Sequence, residues 1–267
     1  MSSGIWTAKG ASTMKLSRRA VVMMGLGSVP GLVGTGSLPL KAANPSSETI
    51  VVNTPSGRRI EAVLAIPGAV PAPSVMIIHG SFGASDWYRS LASKVAEDGF
   101  VGLSVDLYGG EVTTDLGQAA LLRGKALADF KGTTEIIRTW LDWLRRDPRT
   151  NRKVGLIGFS LGAFVAIEFA MTAPVEATVF YYGLPAAREV DGFQGAALGH
   201  FGKDDRQIGV GSVERFESRM LEKGKAVEIH WYEAGHSFAN PELPEYDAKA
   251  ADVAWRRTLD FLRVRLG

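Results

Sequence analysis

From residue 48 to the C-terminus, apolar runs alternate with amphipathic stretches. Apolar-rich runs at residues 49–53 and 59–66 flank Pro55-Ser56-Gly57, which predicts an opening pair of strands joined by a turn. Ser74-Val75-Met76-Ile77-Ile78-His79 is apolar along most of its length, the mark of a strand buried on both faces. Helical spacing at residues 87–97 precedes a further strand at 101–106. It returns at residues 119–130 and 133–146, with a break around Gly132. Strands at 153–159, 177–182, 196–201 and 227–232 then alternate with helices at 161–171, 213–223 and 248–266, and residues 184–195 read as a loop. Strands and helices taking turns in this way predict one α/β domain over residues 44–267, a mostly parallel sheet with helices on both faces.

The first 43 residues do not fit that pattern. Ser17-Arg18-Arg19 leads into an apolar stretch diluted by Gly25, Gly27, Pro30 and Gly31, and small residues follow at Ala42-Ala43. A basic segment, a short apolar segment and small residues in that order predict a cleaved signal peptide, and the paired arginines point to the twin-arginine variety. The expected location is therefore periplasmic or secreted, with no membrane association once the leader is cut. Met14 stands just before the basic segment and is a candidate start of translation.

The net charge of +2 changes meaning once the leader is set apart. Residues 1–47 hold Lys9, Lys15, Arg18, Arg19 and Lys41 and no acid, so the body is slightly acidic and lacks the footprint of a nucleic-acid binder. The chain has no cysteine, which removes thiolate catalysis, disulfides and cysteine metal sites together.

The chemistry gathers around Gly158-Phe159-Ser160-Leu161-Gly162. A Gly-x-Ser-x-Gly sequence between a buried strand and a helix is the setting of a nucleophile elbow, in which a strained turn exposes the serine oxygen. The same pattern also fits a glycine-rich turn with a helix-capping serine, so the partners decide. Serine needs a base, and of the four histidines only His236 falls in a loop after the last strand. His79, His200 and His230 read as packed or surface residues. The orienting acid belongs after the preceding strand, where Gly202-Lys203-Asp204-Asp205 offers two carboxylates. Asp205, three residues past the glycine, is the choice, and Asp204 reads as a solvated loop residue. The backbone N–H groups of Leu161 and Ser81 are the expected oxyanion donors. Phe82, Trp87, Tyr108, Phe159 and Phe238 are candidates for a pocket wall or for plain core.

Three segments carry a resemblance to the dienelactone hydrolase family: Lys153 through Gly162, Tyr181-Tyr182-Gly183, and His230 through Ala239. The resemblance implies the α/β-hydrolase fold and cleavage of an ester or lactone, and it matches Asp205 to the family's acid. It also exposes departures. Ser160 stands where the family's typical enzymes carry cysteine, and Gly80 where they carry a glutamate that interacts with it. Gly110 and Asn240 stand where dienelactone enzymes bring arginines to a substrate carboxylate. The expected substrate is therefore a small neutral ester or lactone rather than dienelactone, with no metal or organic cofactor. Two alternatives stay open: an acyltransferase on the same triad, and a non-catalytic binding protein on a hydrolase scaffold.

Overall fold

The computed structural model describes residues 46–186 and 189–267. The leader with its twin-arginine segment lies outside the described residues. Strands β1 (Ser46–Asn53) and β2 (Arg59–Ile66) form the hairpin expected from the sequence, with Asn53 opposite Arg59. The alternating series follows as β3 (Ala72–Ile78), α1 (Asp86–Glu97), β4 (Val101–Val105), α2 (Leu116–Ala128), α3 (Phe130–Arg146), β5 (Thr150–Phe159) and α4 (Leu161–Ala170). The rest is β6 (Ala177–Tyr181), β7 (Ala196–Gly202), α5 (Val210–Glu222), β8 (Ala226–Tyr232) and α6 (Ala248–Leu266).

The eight strands form one sheet in the order β1-β2-β4-β3-β5-β6-β7-β8. β2 runs antiparallel to both its neighbours, and every pairing from β4 to β8 is parallel. The fully buried strands β4 and β6 carry no period-two pattern, as strands covered on both faces should not, whereas edge strand β8 is half-exposed along its length. One face is packed by side chains such as Leu122, Trp140, Val165 and Phe216, from α2, α3, α4 and α5. The other is packed by Leu91 and Val95 of α1 and Leu259 and Leu262 of α6. From β3 the chain steps to β4 on one side, then returns across β3 to lay β5 on the other. That reversal opens a crevice beyond the carboxyl ends of β3 and β5, where open α/β sheets receive their ligands.

One boundary differs from the sequence reading. The break between α2 and α3 falls at Asp129, not at Gly132, which lies inside the first turn of α3. Asp129 ends one helix and caps the next, its carboxylate accepting the Gly132 N–H at 3.0 Å. Glycine propensity predicts the break at 132, and the capping carboxylate of Asp129 overrides it.

Trp140 is fully buried against the sheet, while Leu121 on α2 is 62% exposed. Trp140→Ala should cost about 3–5 kcal/mol of folding stability. Leu121→Ala should stay within about 0.5 kcal/mol. Urea unfolding of both variants checks the contrast.

Candidate active site

Ser160 joins β5 directly to α4 with φ 51° and ψ −108°. Two glycines make that turn possible. A Cβ on Gly158 would lie 2.2 Å from the Gly162 carbonyl oxygen, and one on Gly162 would lie 2.2 Å from the Ile78 carbonyl oxygen. Strand β5, helix α4 and strand β3 therefore meet more closely than any larger residue allows. The Ser160 N–H donates to the Tyr181 carbonyl at 3.0 Å, and its carbonyl accepts from the Phe164 N–H at 3.1 Å, starting the helix. α4 buries eight of its ten residues, so the strained serine sits on a helix that cannot shift without opening the core. Ser160 stays partly exposed.

Ser160 Oγ lies 3.2 Å from His236 Nε2, and His236 Nδ1 lies 2.8 Å from Asp205 Oδ2. Asp205 Oδ1 accepts the Gln207 and Ile208 N–H groups at 2.7 and 2.9 Å, so both carboxylate oxygens are engaged. Burial pushes the Asp205 carboxyl up. The hydrogen bonds from His236, Ile208 and Gln207, with the attraction of His236, outweigh it and hold the group below the ordinary carboxylate value. An ionised Asp205 draws the imidazole proton to Nδ1 and leaves Nε2 as an acceptor facing Ser160. Asp204 is exposed, so of the two adjacent carboxylates only Asp205 is brought to the histidine.

The structure distributes the other histidines as packing residues. His79 is fully buried; its Nδ1–H donates to the Gly80 carbonyl at 2.7 Å, and its Nε2 accepts the Leu107 N–H at 3.0 Å. Burial holds its pKa below the ordinary value against the pull of the Gly80 carbonyl and Asp106, so the ring is neutral. This contact sets the loop that follows β3, where the expected oxyanion donor Ser81 lies. In a planar trans peptide the carbonyl and the next N–H point in opposite directions, so fixing the Gly80 carbonyl also fixes the Ser81 N–H on the far side. Leu161 is the first residue of α4, and its N–H is one of the four that a helix leaves without an internal acceptor. His200 is buried between the Tyr232 hydroxyl and the Thr258 hydroxyl, and His230 stacks on it from β8.

The aromatic candidates divide. Phe159 and Phe238 are core, 1% and 0% exposed, whereas Phe82 and Trp87 are partly exposed. Two further residues shape the site: Tyr182, which the sequence marks only within a resemblance segment, and Glu242, which it does not mark. Tyr182, with φ 41°, packs its ring 5.1 Å from the His236 ring. Glu242 accepts the Trp87 N–H at 3.2 Å and the Ser85 hydroxyl, tying the histidine loop to the start of α1. Neither contact has a local signal, because both partners are distant in sequence.

With this geometry in hand, the dienelactone hydrolase family model matches residues 60–266. The carboxymethylenebutenolidase of Pseudomonas putida is 30% identical over 231 residues, covering 81% of this chain and 96% of the relative. Carboxymethylenebutenolidase 1 of Cupriavidus pinatubonensis is 28% identical over 229 residues, with 81% and 96% covered. Among solved structures, a dienelactone hydrolase-like promiscuous phosphotriesterase from metagenomic libraries aligns with a TM-score of 0.74 at 23% identity, over 83% of this chain and 99% of that one.

Asp205→Ala removes the acceptor for two backbone N–H groups and His236, and should cost about 1–3 kcal/mol at pH 7. Asp204→Ala should be near neutral. Because folding depresses the Asp205 pKa, its contribution is complete above its unfolded value of about 3.8 and is lost as pH falls through the folded value. The stability gap between parent and Asp205→Ala should therefore narrow on acidification below that value, as measured by urea unfolding at pH 7 and at pH 3.

Proposed function

The chain belongs to the dienelactone hydrolase family, and we propose that it hydrolyses a small neutral carboxylic ester or lactone through an acyl-enzyme formed on Ser160. Family membership makes it a carboxylic ester hydrolase. The assignment of Ser160 as nucleophile goes further than family membership. One observation carries it: Ser160, His236 and Asp205 form a continuous hydrogen-bonded chain at the elbow, at 3.2 and 2.8 Å.

In this mechanism Ser160 Oγ attacks the ester carbonyl while His236 Nε2 takes its proton. The Leu161 and Ser81 N–H groups hold the oxyanion, and Asp205 keeps the imidazole oriented and stabilises the imidazolium. His236 passes the proton to the leaving alcohol. It then activates the water that attacks the acyl-enzyme, and Ser160 regains its proton as the acid departs. All the groups required are side chains and amides of this chain.

Charge at the cleft supports a neutral substrate. Gly110 has no side chain; its N–H donates to Asp106, at φ 94°. Asn240 is 2% exposed and turned into the protein. Neither position offers a cation to a substrate carboxylate, and charge-assisted pairs are the strong ones. We also propose export, supported by the order of basic, apolar and small residues in positions 1–43.

The first test is hydrolysis of p-nitrophenyl acetate beside a p-nitrophenyl ester carrying a free carboxylate, by the protein lacking residues 1–43. The neutral ester should be preferred, and Ser160→Ala should lose on the order of 10⁶-fold in kcat. Equal rates for parent and variant would remove Ser160 from the mechanism. For export, mass spectrometry of protein recovered from the periplasm should show a mature chain lacking the leader. Replacing Arg18 and Arg19 together by Lys should retain the full-length chain in the cytoplasm.

A further inference from the structure

Gly80 is the first residue of the oxyanion loop and lies beside the nucleophile. A Cβ on it would lie 3.8 Å from Ser160 Cβ and 2.8 Å from the Tyr88 hydroxyl. The space that a side chain at position 80 would need beside Ser160 is thus held by a phenol arriving from α1. Tyr88 is 3% exposed, with its ring packed 4.6 Å from Trp87 and 5.4 Å from Phe159.

The phenol oxygen has two donors around it, the Gly80 N–H and the Asn240 side-chain amide. Burial pushes the Tyr88 pKa upward against those two hydrogen bonds, so the hydroxyl is neutral. Asn240 is itself oriented: its Oδ1 accepts the Glu242 N–H at 2.9 Å, which leaves Nδ2 to donate to Tyr88. The Glu242 carboxylate returns to the first turn of α1 through Trp87 N–H and the Ser85 hydroxyl. One continuous strap therefore runs from the histidine loop through Asn240 and Tyr88 to Gly80.

Glycine is the residue whose backbone is least restrained on its own. Here both of its peptide groups are held, the N–H by Tyr88 and the carbonyl by His79. The phenol thereby holds the His79–Gly80 peptide and the imidazole the Gly80–Ser81 peptide, so the two rings together set φ and ψ at Gly80. We propose that Tyr88 is a positioning residue, whose hydroxyl, lodged in the space Gly80 leaves beside Ser160, locks the oxyanion loop to the histidine loop and sets the aim of the Ser81 N–H. The inference rests on the reading of Ser160 as nucleophile and Ser81 as oxyanion donor.

The experiment is a double-mutant cycle on p-nitrophenyl acetate hydrolysis with Tyr88→Phe, Gly80→Ala and the pair, beside Ser160→Ala. Removing an oxyanion donor outright costs about 10²–10³ in kcat, so displacing one should cost less, about ten- to a hundredfold. Each single variant should lose that much in kcat with KM within about twofold. Tyr88→Phe removes the oxygen, and Gly80→Ala pushes it off with a methyl group, so the pair should lose no more than either alone. Tyr88→Phe with kcat within twofold of the parent, or losses that multiply in the pair, would overturn the proposal. Should Tyr88→Phe fail to fold, Gly80→Ala with Tyr88 intact carries the same test: unchanged kcat overturns it, and the predicted loss supports it. An active Ser160→Ala points instead to failure of the nucleophile reading.

Discussion

The close approach of β5, α4 and β3 at Gly158, Gly162 and Ile78 is the constraint from which the site follows. With a Cβ at either glycine the helix would stand further from the sheet, and Ser160 could enter it with ordinary helical dihedrals. Instead the turn is compressed and φ becomes positive, a strain of about 1–3 kcal/mol for a non-glycine residue. Burial of α4 on nearly all sides sustains that strain. Three of the four non-glycine residues with positive φ among the described residues are Ser160, Tyr182 and Ser237, which bear, touch or flank the members of the site. The strain is concentrated around the site.

Below this surface the polar groups are arranged so that one histidine alone turns a ring nitrogen to Ser160. His79 and His200 are buried with both ring nitrogens hydrogen-bonded, and burial, the largest cause in each, holds both pKa values low. His200 also joins β7 to β8 through Tyr232 and to α6 through Thr258, which in turn holds Tyr181 of β6. That network braces the strand ends from which the Asp205 and His236 loops emerge. His236 differs in being partly exposed and in what faces it. Asp205 takes one nitrogen, and the other is left for Ser160.

How much of this was legible in the sequence depends on how local each cause is. The elbow was readable, because its glycines, its strand and its helix are contiguous. So was His236, through chain order and its loop position. Asp205 over Asp204 required a positional rule, and the structure explains it physically: residues 207 and 208 turn their N–H groups back onto the carboxylate three positions earlier. Phe159 and Phe238 stayed ambiguous because an aromatic residue next to a motif looks the same whether it faces the crevice or the core. Tyr88 and Glu242 left no trace: Glu242 meets Trp87 across 155 residues, and nothing in a helical pattern marks Tyr88. The helix break was misplaced for a related reason: Asp129 acts through its side chain, and composition shows only the glycine.

The departures from the charged pattern of dienelactone enzymes then form one physical set. An arginine at position 240 has donors only and cannot accept the Glu242 N–H, as the Asn240 carbonyl oxygen does, so it cannot hold the loop in this conformation. A glutamate at position 80 begins with a Cβ that meets the Tyr88 hydroxyl at 2.8 Å, so it cannot coexist with the phenol where it now lies. Glycine at 80, tyrosine at 88 and asparagine at 240 are each intelligible only with the other two. A cleft that lost its charges singly would carry unpaired buried donors at the serine. Here Gly80 and Asn240, which stand where dienelactone enzymes carry charge, are also the residues that meet Tyr88, so the loss of those charges and the contact between the two loops have a common structural origin.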